Sequence, residues 1–237
     1  MALSKRFWQA GHPPRYVAVL KPSSPTFRHS SPLSLRLVEE MLLERGIVVS
    51  YETIRRWGKK FGSAYARHLR RKPPRPNDIW HLDEVVISIA GKKHWLWRAV
   101  DQDGYVLDEI VQCRRNTKAA KHLLTRLMKK QGMAPNRIIT DKLASYGAAR
   151  RQVMPGVEHR SHKGLTNRAE NSHLPLRKRE RMLQGFRSAG GLQRFTSVFS
   201  AVRNLFVPPR SRRSALVTHL CRLQAMTAWK AAAGVLA

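Results

Sequence analysis

The spacing of apolar residues changes along the chain and divides it into segments. Residues 1–32 follow neither a helical nor a strand period, and their serine and proline density predicts an irregular, disordered segment. From Ser34 the apolar positions follow a helical period, and from Asp78 they follow the pattern of strands. The proline-rich basic stretch 67–76 lies between these two regions and predicts a linker.

Segment 33–66 predicts a helix-turn-helix. Ser34 and Ser50 stand at N-cap positions, and Gly46 supplies the turn between the two helices. Ile54 and Trp57 face inward, so the second helix keeps a basic outer face that suits phosphates and base edges in a major groove. An ordinary helical hairpin with a solvated basic face fits the same spacing. The candidate DNA-binding residues are Tyr51, Thr53, Arg55, Arg56, Lys59 and Lys60.

Segment 77–208 predicts an α/β domain. Three strand-like stretches, 78–90, 92–101 and 105–113, are joined by short turns and indicate an antiparallel meander. A helix that ends at Gly132 follows, and the sequence NRIITD then predicts a fourth strand. Because a helical crossover precedes this strand, it should lie parallel to a strand of the meander. This order is typical of a ribonuclease-H-like sheet.

Two sets of apolar residues are assigned to packing. Trp80, Trp95 and Trp97 lie in strand segments, where aromatic residues ordinarily fill cores rather than stack on bases. Within the C-terminal segment 209–237, residues 214–233 predict a helix with a face of spaced leucines. That face could dock on the catalytic domain or mediate dimer contact, and the sequence does not choose between them.

Charge identifies the class of partner. The chain carries 45 Lys and Arg against 15 Asp and Glu, a net charge of +30, and such a field calls for a polyanion. A merely basic enzyme is the alternative. No apolar run approaches the roughly 20 residues that cross a bilayer, so no membrane partner is expected. Cys113 and Cys221 fit neither a disulfide framework nor a zinc site, which favours a reducing cytoplasm.

Three acidic residues are candidates for a metal site. Asp83 lies in the most apolar strand, where a carboxylate is costly unless it is paired or bound to a cation. Asp141 ends the fourth strand, and Glu170 on a following helix could complete a cluster suited to two Mg²⁺ or Mn²⁺ ions. The aspartates could instead cap strand ends or pair with arginines. The spacing alone does not decide between this interpretation and a metal site. His81, on the same strand face as Asp83, is assigned to packing.

The motifs WHLDEV, ITDKLASYG, VEHRSHKG, NRAENSH and RKRER resemble those of bacterial insertion-sequence transposases of the IS-six (IS-twenty-six-like) family. The resemblance runs from about Leu33 to Phe206 and includes LVEEMLLERGIVVSYETIRRW as a DNA-binding segment. It implies a retroviral-integrase-like catalytic domain in which Asp83, Asp141 and Glu170 are the catalytic, metal-binding Asp-Asp-Glu acids.

The resemblance also implies an activity. Such enzymes cleave DNA at an element's terminal inverted repeats, and the freed 3′ hydroxyl then attacks target DNA in a transesterification. The expected partners are double-stranded DNA and a second copy of the chain, with no small-molecule substrate, in the bacterial cytoplasm at the nucleoid. The basic residues expected to contact phosphates near the acids are Lys142, Lys163, Arg168 and Arg177. For those of these residues that lie in loops, the competing interpretation is that they are simply exposed to solvent and contact no phosphate.

Two features depart from the family pattern. The interval from Asp141 to Glu170 is 29 positions, shorter than in many relatives. The family usually has a helix ahead of the helix-turn-helix, whereas residues 1–32 resemble out-of-frame sequence. An inactive remnant that only binds DNA is therefore the alternative function, and a ribonuclease or structure-specific nuclease on the same fold is a third.

Overall fold

In a computed structural model the described part of the chain divides into two compact units, one containing 34–69 and 222–232 and the other containing the described residues between 75 and 221. The structure describes residues 34–69, 75, 77–165, 167–183, 185–208 and 214–232. The predicted irregular segment 1–32 and most of the predicted linker 67–76 lie outside the described residues.

The first unit contains the two helices that the sequence predicts. Helix α1 (Leu35–Leu43) and helix α2 (Tyr51–His68) each begin after a serine whose hydroxyl accepts a backbone N–H three residues later. Between them Gly46 adopts a φ of +71°, which a residue without a side chain accommodates at little cost. The buried face of α2 includes Ile54 and Trp57, as the period predicts. The helix continues into the segment expected to be a linker.

The second unit is built on a five-stranded mixed sheet in the order β3-β2-β1-β4-β5. Strands β1, β2 and β3 pair antiparallel, whereas β4 pairs parallel to β1 and β5 parallel to β4. The predicted meander and its parallel fourth strand are confirmed, and with them the ribonuclease-H-like α/β plan. The strands are Ile79–Ile89, Lys92–Val100, Val106–Gln112, Arg137–Thr140 and Glu158–Ser161.

Helices cover both faces of this sheet. Helices α3 (Thr117–Gln131) and α4 (Ala144–Val153) contribute to a core that includes Trp80 and Trp97. Helices α5 (Asn167–Met182) and α6 (Ala189–Phe206) contribute to a second core around Leu96. Trp95 is only partly buried. Successive side chains along β1 point to opposite faces of the sheet and therefore toward different cores.

Helix α7 (Ala215–Ala232) ends the described chain and confirms the predicted C-terminal helix. Its last part belongs to the first unit, where the indole of Trp229 stacks on the Tyr65 ring with 6.1 Å between the ring centroids. The leucines of the predicted apolar face remain exposed, namely Leu216, Leu220 and Leu223.

Candidate active site

Asp83 and Asp141 lie on neighbouring parallel strands. Asp83 is within β1, and Asp141 directly follows β4. Together with Glu84 they form a group in which one carboxylate oxygen from each residue lies within 4.8 Å of the others. The carboxylates of Asp83 and Asp141 thus converge as expected, and Glu84 is an additional member.

Burial makes this cluster electrostatically unfavourable without a counter-charge. Burial raises the pKa of Asp83 to about 7, and the charges of Glu84, Asp141 and Glu170 add to the shift. Burial is also the main cause of a raised pKa for Glu84. A hard divalent cation stabilises closely spaced carboxylates because it offsets their negative charge and prefers oxygen ligands. The residues of this cluster therefore fit such an ion.

Glu170 lies on a helix that packs beside the cluster. It lies exposed in the first turn of α5, outside the 4.8 Å group, yet its charge contributes to the pKa shift of Asp83. His173 follows three residues later, and residues at this spacing share a helix face. Its Nε2 lies 3.5 Å from Oδ2 of Asp83, so this face of α5 is directed at β1. Burial holds the pKa of His173 well below its usual range, which keeps the ring neutral.

A buried arginine joins α5 to the sheet. Arg98 lies opposite Asp83 in the β1–β2 pairing and opposite Glu109 in the β2–β3 pairing. Its Nε and Nη2 donate to Oε2 of Glu109 at 3.0 and 2.7 Å, and its Nη1 donates to the carbonyl of Ser172 in α5. Arg98 thereby connects the helix that carries Glu170 to the strand beside Asp83.

A second arginine lies on the opposite side of the cluster. Nε of Arg115 donates to Oε1 of Glu84 at 2.7 Å, and its Nη2 lies 3.4 Å from Oδ2 of Asp141. Burial, and then the charge of Glu84, raise the pKa of the Tyr146 phenol well above its usual range. Sequence reasoning missed Glu84, although a second acid in so apolar a strand was as unusual as Asp83.

Comparison with known proteins identifies the family. Residues 77–207 match a family model described as a DDE domain. Over 162 residues the chain is 30% identical to the Staphylococcus aureus transposase for the insertion sequence-like element IS431mec, covering 66% of this chain and 72% of the relative. The chain belongs to the IS-six family of DDE transposases. The S. aureus transposase for IS257 in transposon Tn4003 is equally similar, with 30% identity and the same coverage.

Membership in this family makes the protein a polynucleotidyl transferase, as the motifs predicted. A solved structure, the HTLV-2 integrase catalytic core domain in complex with magnesium, is 18% identical and has a TM-score of 0.42. That likeness covers 62% of this chain and 99% of the integrase domain.

The basic residues expected beside the acids have different surroundings. Lys142 is exposed directly after Asp141, and Lys163 begins a short 3-10 helix, Lys163–Leu165. Nη1 of Arg168 donates to the carbonyl of Gln102. Arg177 is half-buried, and its Nη1 donates to Glu180 at 2.9 Å. To bind DNA phosphates, Arg168 and Arg177 would have to give up these internal contacts.

The outer face of α2 also contains internal contacts. Glu52 accepts hydrogen bonds from Nε and Nη2 of Arg55, at 2.7 and 2.6 Å, and lies 3.5 Å from Nε of Arg56. Thr53 shares a hydrogen bond with the Ser50 hydroxyl that caps the helix. The remaining candidates are Tyr51, with the Arg36 guanidinium over its ring, Lys59, which is exposed, and Lys60, whose ammonium lies over the Phe61 ring.

Two further observations bear on the sequence predictions. His81 is buried and faces the same side of β1 as Asp83, and burial lowers its pKa to about 4, so it is neutral at physiological pH. In the described part of the chain, no helix combines the length and apolarity needed to span a bilayer.

Proposed function

We propose that this transposase cleaves DNA at the terminal inverted repeats of an insertion element and joins the freed 3′ end to target DNA. The observation that carries the proposal is the convergence of the Asp83 and Asp141 carboxylates where β4 ends beside β1 in a DDE domain. Glu170, whose charge reaches Asp83, is the third acid of the set.

Asp83, Asp141 and Glu170 are the residues that would hold two Mg²⁺ or Mn²⁺ ions. Glu84 is less suited to this role because its side chain is fully buried and its Oε1 accepts a hydrogen bond from Arg115. The Asp83 side chain, by contrast, is 12% exposed and the Asp141 side chain is 27% exposed. When bound, the ions activate the attacking oxygen and stabilise the leaving oxygen at phosphorus.

The protein's own residues orient the acids and the DNA. His173 contacts Asp83 as a neutral ring, and Arg98 anchors α5, so that the helix carrying Glu170 is held against the same strand. Lys142, Lys163, Arg168 and Arg177 supply positive charge for phosphates near the scissile bond. No side-chain nucleophile takes part in this proposal.

The two chemical steps balance without an external energy source. In the first, water attacks phosphorus, the P–O3′ bond breaks, and the departing oxygen takes a proton to become a 3′ hydroxyl. In the second, that hydroxyl attacks a target phosphodiester. A new P–O bond forms as the target's P–O3′ bond breaks, and the displaced 3′ oxygen takes up the proton that the attacking hydroxyl loses. Two ends and one target must be held together, and we therefore propose a dimer or larger assembly, acting in the bacterial cytoplasm at the nucleoid.

The helix pair α1–α2 is proposed to recognise the element ends. Its outer face combines basic side chains with a helix N-terminus, the arrangement with which a recognition helix contacts phosphates and base edges. A net charge of +30 over the whole chain would steer DNA toward it.

Purified full-length protein should be incubated with Mn²⁺ and a linear fragment that carries the DNA flanking its gene on both sides. We expect 3′ nicks at the element ends, and their loss in Asp83→Asn and Glu170→Gln. Glu158→Gln is the matched control because Glu158 is an exposed acid at the far end of β5, paired with Arg137 and Arg160.

The outcomes separate the proposed functions. Nicking that persists in Asp83→Asn would refute the mechanism. Specific binding of the fragment without nicking by the wild-type protein would support a protein that only binds DNA. Cleavage of RNA or of branched DNA, without joining of ends, would support a nuclease on the same fold.

A further inference from the structure

The cluster contains three carboxylates, but they differ in their partners. Asp83, Glu84 and Asp141 all offer an oxygen within the same 4.8 Å. By distance alone, any two of them could serve a cation together with Glu170. Something must therefore decide which two of the three act as metal ligands.

Arg115 distinguishes the three acids. Its Nε donates to Oε1 of Glu84 at 2.7 Å, and its Nη2 contacts the same oxygen. Two donors of one guanidinium thus converge on a single oxygen of Glu84, and a charge-assisted contact of this kind is stronger than one between neutral groups. The contact from Nη2 to Oδ2 of Asp141 is longer, at 3.4 Å, and no ion pair joins Arg115 to Asp83 among those of the described residues.

The guanidinium is also held in place from another side. Arg115 lies over the ring of Trp95, with 5.0 Å from its Cζ to the ring centroid. Arginine over an aromatic face gains a further electrostatic attraction. Because Glu84 is fully buried and Arg115 is 38% exposed, the arginine closes off the outer side of an acid that lacks access to solvent.

We propose that Arg115 is a positioning residue that excludes Glu84 from the metal site and leaves Asp83 and Asp141 as the strand-borne ligands. This inference rests on the proposed metal-dependent function. By pairing with Glu84, Arg115 offsets one negative charge of the cluster and occupies Oε1 of Glu84, which a cation would otherwise compete for. Its weaker contact with Asp141 restrains that carboxylate near Asp83 and yields when a cation binds.

The proposal predicts opposite effects from the two partners of one ion pair. In Arg115→Gln, Glu84 becomes available and one positive charge is lost, so Mn²⁺ should bind more tightly. In Glu84→Gln, Arg115 can turn fully to Asp141, so Mn²⁺ should bind more weakly. Each change should amount to about 10- to 100-fold, the usual size for a residue that positions a metal ligand.

Mn²⁺ binding to the full-length protein without DNA should be measured by the electron paramagnetic resonance signal of free Mn²⁺. The double variant Glu84→Gln/Arg115→Gln should bind Mn²⁺ nearly as wild type does, because the pair is removed as a unit. Nicking should fall in Arg115→Gln despite the tighter binding, since an extra ligand alters the geometry in which Asp83 and Asp141 act.

Arg126→Gln is the matched control. Arg126 also pairs with a buried acid, Asp108, with 2.9 Å from its Nε to Oδ2 of Asp108. It lies nine residues, or about 14 Å, beyond the first residue of α3, whereas Arg115 precedes that helix. This substitution should leave Mn²⁺ affinity unchanged. Melting temperatures recorded for all variants would identify any that fail to fold.

The results distinguish the inference from the function on which it rests. If wild-type protein binds no Mn²⁺, or if Asp83→Asn binds it as tightly as wild type, the proposed metal site is wrong. If wild type binds Mn²⁺ through Asp83 but Arg115→Gln and Glu84→Gln shift the affinity in the same direction, or not at all, Arg115 does not select the ligands.

Discussion

Replacing Arg98 with methionine should destabilise the catalytic unit more than any surface substitution. Arg98 and Glu109 have side-chain exposures of 1% and 4%, so removal of the guanidinium leaves a buried carboxylate without a counter-charge. Such a loss typically costs about 3–5 kcal/mol of the free energy of unfolding. The lost hydrogen bond to the Ser172 carbonyl adds about 1 kcal/mol.

Urea unfolding followed by tryptophan fluorescence measures this effect, because Trp80 and Trp97 are buried in the same unit. With a slope of about 2 kcal/mol per molar urea, the midpoint should fall by roughly 2–3 M. The double variant Arg98→Met/Glu109→Leu should regain most of the stability, since an apolar pair of similar volume often replaces a buried ion pair without loss.

Activity should not recover in that double variant, because the sheet still lacks its hydrogen bond to α5 and Glu170 loses its fixed position. The control is Arg126→Met, which should cost under about 1 kcal/mol. Its side chain is 45% exposed, and Lys130 still pairs with Asp108 at 2.8 Å. A single Arg98 variant as stable as this control, or a double variant with full nicking activity, would refute the reasoning.

Two further predictions concern charge. In metal-free protein, raising the pH from 5 to 8 should lower the free energy of unfolding of wild type by roughly 2–3 kcal/mol relative to Asp83→Asn. The reason is that burial raises the pKa of Asp83 to about 7 in the folded protein, whereas the unfolded side chain ionises near 4. Urea unfolding in EDTA at both pH values tests this, and equal pH dependence of the two proteins would contradict it. Glu52→Gln should bind DNA more tightly in a fluorescence-anisotropy titration, because it releases Arg55 and Arg56 for phosphates; unchanged or weaker binding would argue against DNA contact by this face of α2.

The parts of the fold that the sequence predicted are those with a clear period. The apolar run around Asp83 and the crossover before the fourth strand together required a parallel neighbour, and this placed Asp141 beside Asp83. Strand β5 escaped prediction because it has only four residues and alternates little, with Glu158 and Arg160 both exposed. Its position depends on pairing with β4, a tertiary contact that local pattern does not encode.

The residues around the acids were harder to predict for a related reason. The contact from Arg98 to Ser172 spans 74 positions, and that from Arg115 to Glu84 spans 31. In a chain with 45 Lys and Arg, composition cannot indicate which arginine pairs with which acid. Only the register of β1, β2 and β3 places Arg98 between Asp83 and Glu109.

The arrangement of charge also explains how an acidic site can receive an anionic substrate. Bare carboxylates would repel a phosphodiester, yet two features reduce their charge in the protein alone. Asp83, with a pKa of about 7, is partly protonated near neutral pH, and Arg115 neutralises Glu84. The surrounding positive field can therefore draw DNA toward the site without a cation. Attraction of DNA thus depends on the arginines and lysines of the whole chain, whereas the chemistry depends on the few acids beside the end of β4.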